Sequence, residues 1–332
     1  MTRQRFRGLI LTTLLLFTLG LTVACRSGSN SVVQTTCYQV KHAAGTSCVP
    51  NTIERLVTLD GVSLEYAIAL GLKPVGAAWN EGFSSHLQDQ LANVENIGQA
   101  GEPNLERVLA LKPDLILGLD SQQTLYAQAS QIAPTVLLKF EHSGQWKDVF
   151  QTFSKALNRD AIAQQVMANY NRRLQDFKNR PRAKATPANK PLPSPPEVSV
   201  VRIYPDSINL YLRDSFCGTI LQDAGLARPA AQDIGASEAK SLFDNQIQVS
   251  ISLERIDQAD GDIMFIWTSE NTTQGNQTTQ KKLAELRSNS LWQSLNATQQ
   301  ERVYFVPSYW IGSGPIAANA VIDDLFNYIK EQ

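Results

Sequence analysis

Two periods alternate along this chain, one helical and one of short unbroken apolar runs, and they succeed each other many times. The pattern is sharpest at 104–118. Asn104 stands as a helix N-cap, Leu105, Val108, Leu109 and Leu111 make a helical apolar stripe, and Lys112-Pro113-Asp114 stops it. Leu115-Ile116-Leu117 is then the continuous apolar run of a parallel strand buried on both faces. Residues 252–266 repeat this arrangement. Leu253-Glu254-Arg255 matches Leu105-Glu106-Arg107, and Asp262 stands ahead of its strand as Asp114 does. Copies so far apart are not neighbouring units of a solenoid; they predict two similar lobes, each with its own sheet.

The remaining elements fit that plan. A strand at 55–59, a helix at 63–70 ended by Gly71, a strand at 74–79, a helix at 121–132 and a strand at 135–138 complete the first lobe. Strand–helix alternation implies right-handed βαβ units and a parallel sheet. The pattern then changes: Trp146, Val149, Phe150, Phe153 and Leu157 form one helical stripe, and Ile162, Val166, Tyr170, Leu174 and Phe177 form another. The second, over 161–180, would be about 30 Å long and able to join both lobes. A proline-rich excursion follows at 181–196. The second lobe has strands at 197–203, 263–266 and 303–306 and helices at 216–224, 282–286 and 317–329. The expected fold is therefore α/β, with two Rossmann-like lobes carrying parallel sheets and joined by a long rigid helix. Residues 37–142 form the first lobe, 143–180 the connecting helices, 181–196 the loop and 197–332 the second lobe.

The first 24 residues belong to none of this. Arg3, Arg5 and Arg7 precede an apolar run that ends at Ala24-Cys25, too short and wrongly flanked for a lasting span. This reads as an export leader, and the residues before Cys25 resemble a bacterial lipobox, with Thr22 where an aliphatic residue is customary. Lipidation of Cys25 would anchor the chain to a membrane face; ordinary cleavage nearby would leave it free in the periplasm. Residues 25–36 read as a flexible tether. Removing the leader takes three positive charges from a chain of net charge −1, leaving −4. That mildly acidic balance argues against nucleic acid as a partner. An exported chain keeps disulfides, and Cys37 and Cys48, flanking a short polar segment with Gly45, are expected to pair across a small loop or hairpin. Cys217 is left over.

Ligands of open parallel sheets bind beyond the carboxyl ends of the strands. Those ends carry Trp79, Asp120, Trp267, the pair Arg202 and Tyr204, and the pair Tyr309 and Trp310, with Arg213 in a following loop. Rings beside a cation suit a ligand that is partly apolar and partly anionic. Each tryptophan has a second reading, as packing within its own lobe, and Asp120 is more simply a helix cap. Gly-x-Ser-x-Gly, His-Glu-x-x-His, phosphate-loop and Gly-x-Gly-x-x-Gly motifs are all missing. His42, His86 and His142 are scattered without metal spacing, so no metal site or cofactor is expected. An exported enzyme using Asp120 or Asp214 as acid or base is the reading from another class, and it lacks a paired constellation. Glu106 and Glu254 remain. As helix-start carboxylates each is worth a few tenths to about 1 kcal/mol. That role explains each singly but not the match between halves, which suits docking onto a partner with paired basic sockets.

From about Lys41 onward the chain resembles the periplasmic binding proteins of iron-siderophore and vitamin B12 ABC importers. The residues that carry the likeness are His42-Ala43-Ala44-Gly45 with Val49-Pro50, Arg55-Leu56-Val57-Thr58-Leu59, Asn104-Leu105-Glu106-Arg107 and Leu111-Lys112-Pro113-Asp114. In the second half they are Ser215-Phe216-Cys217-Gly218, Gly225-Leu226, Ile251-Ser252-Leu253-Glu254-Arg255-Ile256 and Trp310. The resemblance implies a monomeric solute-binding protein of the class with two lobes joined by a rigid helix. Its ligand would be a ferric siderophore or ferric citrate-type chelate, with the iron held by the chelator; cobalamin or haem is the alternative. It implies Arg202, Trp267 and Trp310 as ligand contacts, with Trp79, Tyr204, Arg213 and Tyr309 beside them. Glu106 and Glu254 would meet arginines of a permease dimer. The 181–196 loop departs from the tighter connection of many members.

Overall fold

The computed structural model describes residues 37–80, 85–180, 195–268 and 273–329. The leader with Cys25, the 25–36 tether and most of the proline-rich segment lie outside them.

The chain enters through a regular hairpin, β1 (Cys37–His42) and β2 (Gly45–Pro50), paired in register from Cys37↔Pro50 to His42↔Gly45. Gly45 turns it at φ +148°, a region that favours glycine. A disulfide joins Cys37 to Cys48 across the two strands. The first sheet follows: β3 (Leu56–Thr58), β4 (Gly76–Ala77), β5 (Glu95–Asn96), β8 (Leu115–Leu119) and β9 (Thr135–Leu138), all parallel in the order β5-β4-β3-β8-β9. A small antiparallel pair, β6 (Gly98–Gln99) and β7 (Glu102–Pro103), lies outside it. The hairpin is lashed to β9 by the Ser47 hydroxyl on Thr135 O (2.7 Å) and Ala43 N–H on Leu137 O (2.8 Å). Strand β4 is shorter than the 74–79 run predicts. A Cβ on Gly76 would stand 2.3 Å from a Leu111 methyl, so glycine is what lets this strand lie so close to the residue that ends the next helix.

Helix α1 (Gly61–Ala69) starts two residues earlier than its apolar spacing predicts, because Asp60 caps it through Ser63 N–H at 2.7 Å. Helix α2 (Leu105–Ala110) is capped by Asn104, whose side-chain oxygen accepts Arg107 N–H at 3.0 Å. The left-handed turn at Lys112 (φ +47°) ends it. The predicted helix at 121–132 is instead a tight 3-10 turn, Asp120–Leu125, broken at Gln122 and continued as α3 (Tyr126–Ile132). Gln122 causes the break: its side-chain oxygen turns back to accept Leu119 N–H at 2.8 Å.

Helices α4 (Trp146–Ala156) and α5 (Asp160–Lys178) form the spine. At 19 residues, α5 is about 28 Å long. Ala163 packs in the first lobe's core, whereas Tyr170, Leu174 and Phe177 pack in the second lobe's. Tyr170 donates to Asp223 at 2.6 Å, and Lys147 pairs with the same carboxylate. Arg173 reaches Asn319 at 3.0 Å and Arg180 reaches Ile329 O at 2.9 Å. One helix is thus seated in both cores.

The second sheet runs β12 (Gln248–Ile251), β11 (Ile208–Tyr211), β10 (Val198–Ile203), β13 (Ile263–Trp267), β14 (Val303–Phe305). Only β10, β13 and β14 are parallel; β11 and β12 are antiparallel, so this sheet is mixed. The chain folds straight back after β10, with Tyr204 N–H bonded to Ser207 O at 2.9 Å, and the short run 208–211 carries no periodic signal. Around it lie α6 (Phe216–Asp223), α7 (Ala236–Phe243), α8 (Thr273–Ser288), α9 (Ser290–Gln293), α10 (Asn296–Gln299) and α11 (Pro315–Tyr328).

The repeated aspartates do the same work in both halves. Asp114 accepts Glu54 and Arg55 N–H at 2.6 and 3.1 Å, ahead of β3. Asp262 accepts Glu197 N–H at 2.8 Å, ahead of β10. Each carboxylate fixes the entry of its lobe's first strand.

Candidate functional site

Between the segment just past β9 and the α7–β12 connection lies a cavity of about 450 Å3 with walls from both lobes. Phe140, Glu141, His142 and Ser143 face Tyr211, Lys240, Asp244–Ile247 and Ile311. Asp120 helps set the first wall: it accepts Phe140 N–H at 3.2 Å rather than acting as a simple helix cap. Burial pushes the His142 imidazole below its ordinary value, with Asp214 and Glu141 pulling the other way.

Arg202 stands on the second wall's side, one side chain back. On β10 it lies directly across from Trp267 on β13, and its guanidinium is held between the Tyr204 ring (3.8 Å) and the Trp267 ring (3.7 Å). It also hydrogen-bonds Tyr211, which lines the cavity. Burial and the neighbouring Tyr204 push the Tyr211 phenol upward, and Arg202 acts against that rise. A guanidinium stacked on two rings is fixed in orientation and poorly hydrated, which strengthens its hold on an anion.

The structure brings Arg202, Tyr204 and Trp267 together and separates the other expected contacts from them. Trp267 is almost fully buried, and its ring is the floor under the Arg202 guanidinium. Trp310 is wholly buried in the second core, its ring tilted 32° to that of Phe265 with centroids 4.3 Å apart, and its indole N–H on Asp324 at 2.7 Å. The Gly312-Ser313-Gly314 stretch after it is the turn leading into α11. Tyr309 donates to the same Asp324 carboxylate at 2.8 Å. Trp79 is half-buried against the Leu64, Ala77 and Leu87 cluster. Arg213 is engaged by Asp233 at 3.2 Å and Asp214 at 3.8 Å.

Several residues of this region were missed in the sequence. Phe140, Glu141 and His142 follow β9, so the strand-end rule that selected Trp79 and Trp267 reaches them too. Tyr211 sits on a strand with no periodicity. Arg228 is wholly buried, bonded to Gln232 at 2.7 Å and to the Val198 and Tyr211 carbonyls, and burial holds it down at about 10. Cys217 is buried and unpaired, its thiol pushed up by burial. Among the described residues no group of three or more His, Cys, Asp or Glu side chains is arranged to hold a metal ion. No described helix is long and apolar enough to cross a membrane.

Glu106 and Glu254 are both exposed, on the first turns of α2 and of the 3-10 segment Leu253–Ala259. A hydrogen bond from Ser252 holds the Glu254 carboxyl below its ordinary value.

Two lobes with strand ends facing a shared cavity, on a helix seated in both cores, define a solute-binding protein of the rigid-helix class. The chain belongs to the periplasmic binding protein family, which it matches over residues 56–310. It is 35% identical over 316 residues to the "Probable siderophore-binding lipoprotein YfiY" of Bacillus subtilis, covering 91% of each chain. It is 31% identical over 281 residues to the achromobactin-binding periplasmic protein of Dickeya dadantii, covering 82% of this chain and 85% of that one. Among solved structures, Staphylococcus aureus SirA complexed with staphyloferrin B superposes with a TM-score of 0.72 at 27% identity, covering 89% of this chain and 100% of that one. The protein is accordingly a solute-binding component of a transporter and not an enzyme.

Proposed function

We propose that the inter-lobe cavity beside Arg202 captures a ferric siderophore or ferric citrate-type chelate, and that the protein hands it to an ABC permease dimer for iron uptake. The observation that carries this reading is the Arg202 guanidinium locked between Tyr204 and Trp267 next to a cavity walled by both lobes. Such a chelate has anionic oxygens around the metal and a bulky organic shell; a stacked cation with aromatic and aliphatic walls matches both parts. The names of the two relatives, a probable siderophore-binding lipoprotein and an achromobactin-binding protein, point the same way. Binding is an equilibrium capture with little hinge motion, because α5 is buried in both cores. Glu106 and Glu254, one on each lobe, serve as the docking acids for basic groups of the permease. A lipid on Cys25 holds the monomer at the membrane.

The test is a titration of the purified protein with ferric siderophores, cobalamin and haem, read by tryptophan quenching with Trp267 beneath the bound ligand. Saturable quenching by at least one ferric chelate is expected. Quenching by cobalamin or haem alone would remove the reading.

A further inference from the structure

Most polar side chains of the cavity are already engaged. Lys240 pairs with Asp244 at 2.5 Å, the Tyr211 phenol hydrogen-bonds Arg202, and the Asn245 side-chain oxygen accepts the Ile247 and Gln248 N–H groups at 3.0 and 3.1 Å. His142 differs. It lines the cavity just ahead of the 3-10 turn Ser143–Gln145, and its carbonyl accepts Gln145 N–H at 3.1 Å, which fixes the backbone under the ring. Its two ring nitrogens have opposite surroundings. Nδ1 is shut away from solvent and has no hydrogen-bond partner. It is sealed where the lobes meet: a Cβ on Gly144 would stand 3.1 Å from Nδ1 and 1.8 Å from the Asp214 carbonyl oxygen, so glycine is what lets the two backbones close over the ring. Nε2 likewise has no partner among the described residues, but it is not shut away, so it is the polar atom that the His142 ring offers to the cavity.

Those surroundings fix where the ring carries its proton. A proton on Nδ1 would be a buried N–H without an acceptor, and orphaned buried N–H groups are rarer than under-satisfied acceptors. Burial also holds the imidazole below its ordinary value against the pull of Asp214 and Glu141, so at neutral pH it carries a single proton, on Nε2. An imidazole that ligates a metal does so through a bare nitrogen and donates its other N–H to an acceptor. His142 has the reverse arrangement, a protonated nitrogen toward the cavity and a bare one behind it. We propose that His142 holds the bound ferric chelate as a hydrogen-bond donor, from Nε2–H to a carboxylate or carbonyl oxygen of the chelate's organic shell, and leaves the iron with its own ligands. This rests on the ferric-chelate reading above and adds a specificity-determining residue to it: a chelate without an outward acceptor oxygen at that wall loses the contact.

The experiment titrates the purified protein with ferric citrate, a ferric trihydroxamate and a ferric tris-catecholate, and carries the tightest binder through His142→Gln, His142→Asn and His142→Phe. A glutamine amide reaches as far from the backbone as Nε2 and an asparagine amide only as far as Nδ1, while phenylalanine keeps a ring with no donor. His142→Phe and His142→Asn should each bind at least about tenfold more weakly than the wild type, and His142→Gln within about threefold of it. The charge-transfer absorption of the chelate should be the same free and bound. Urea unfolding of each variant separates lost contact from lost fold, and if His142→Phe does not fold, the asparagine and glutamine pair decides. Wild-type affinity in His142→Phe, or a loss in His142→Gln as large as in His142→Asn, overturns the inference while leaving the ferric-chelate reading standing. So does a charge-transfer band that moves on binding to the wild type but not to His142→Gln, since a ring nitrogen has then joined the iron. Binding of none of the three chelates by the wild type removes the chelate reading and this inference with it.

Discussion

The Glu65 carboxylate, in α1 of the first lobe, accepts the backbone N–H of Ala317 at the start of α11 in the second, at 2.8 Å. Both groups are buried, and His86 approaches the same carboxylate at 3.2 Å. An anion at the N-terminus of a 14-residue helix is favourably placed, and this one belongs to the opposite lobe. The contact closes the lobes together away from α5, giving the molecule a second fixed point. A Cβ on Gly314 would fall 2.5 Å from Glu65, so glycine is what lets the carboxylate come this close.

Glu65→Ala leaves the buried Ala317 N–H without its acceptor and should cost about 1–3 kcal/mol of stability. Glu65→Gln keeps an oxygen acceptor and should cost less. Urea unfolding of the three proteins checks the order. Equal midpoints would mean that the Glu65–Ala317 contact does not help to hold the lobes together.

Glu106→Ala and Glu254→Ala remove exposed side chains, so stability should move by no more than about 0.5 kcal/mol. Affinity for the ferric chelate should be unchanged, while uptake by cells carrying the permease falls for each single variant and further for the double. Loss of affinity in the purified variants would place these acids in ligand binding and end the docking proposal.

The lobes were legible because burial on both faces leaves continuous apolar runs and because 104–118 and 252–266 share one pattern. Asp114 and Asp262 belong to that pattern for a structural reason, each tying down its lobe's first strand. Strands β11 and β12 were not legible, since each is four residues long, too short to show a period: β11 folds back on β10, and β12 joins β11 only after two intervening helices. The site was legible only in part. The strand-end rule locates a residue along the chain but not the direction of its side chain. Trp310 therefore looked like a ligand contact although Asp324 and Phe265 hold it in the core. The cavity wall at Phe140–His142 is made by a strand exit carrying no tryptophan or arginine, which is why composition did not single it out.

Asp60 is a buried cap whose carboxyl is raised from 3.8 to about 6 by burial, with hydrogen bonds from Ser63, Val62 and Leu119 acting the other way. Folding thus favours its neutral form. The contribution is complete below about pH 3.8 and is lost as the pH rises through about 6. Asp60→Asn retains an acceptor for Ser63 N–H and cannot titrate. The stability of the wild type relative to this variant should therefore fall by up to about 3 kcal/mol between about pH 3.5 and about pH 7. Chemical unfolding at both pH values measures it, and parallel pH curves for the two proteins would refute the assignment.

Arg202 and Trp310 should separate affinity from stability. Arg202→Lys keeps the positive charge but loses the flat guanidinium that lies 3.8 Å from Tyr204 and 3.7 Å from Trp267. Ligand affinity should drop about tenfold for this variant, and further for Arg202→Ala, which also leaves the two rings without the group between them. Trp310→Phe retains most of the packing against Phe265 and removes the donor to Asp324, whose carboxyl burial already pushes upward. It should cost about 1–2 kcal/mol of stability and leave affinity within about twofold. Titration and unfolding of the same preparations give both quantities. If Trp310→Phe weakens binding as much as Arg202→Lys does, the ligand reaches deeper into the second lobe than the Arg202 stack, and the cavity beside Phe140 is not its seat.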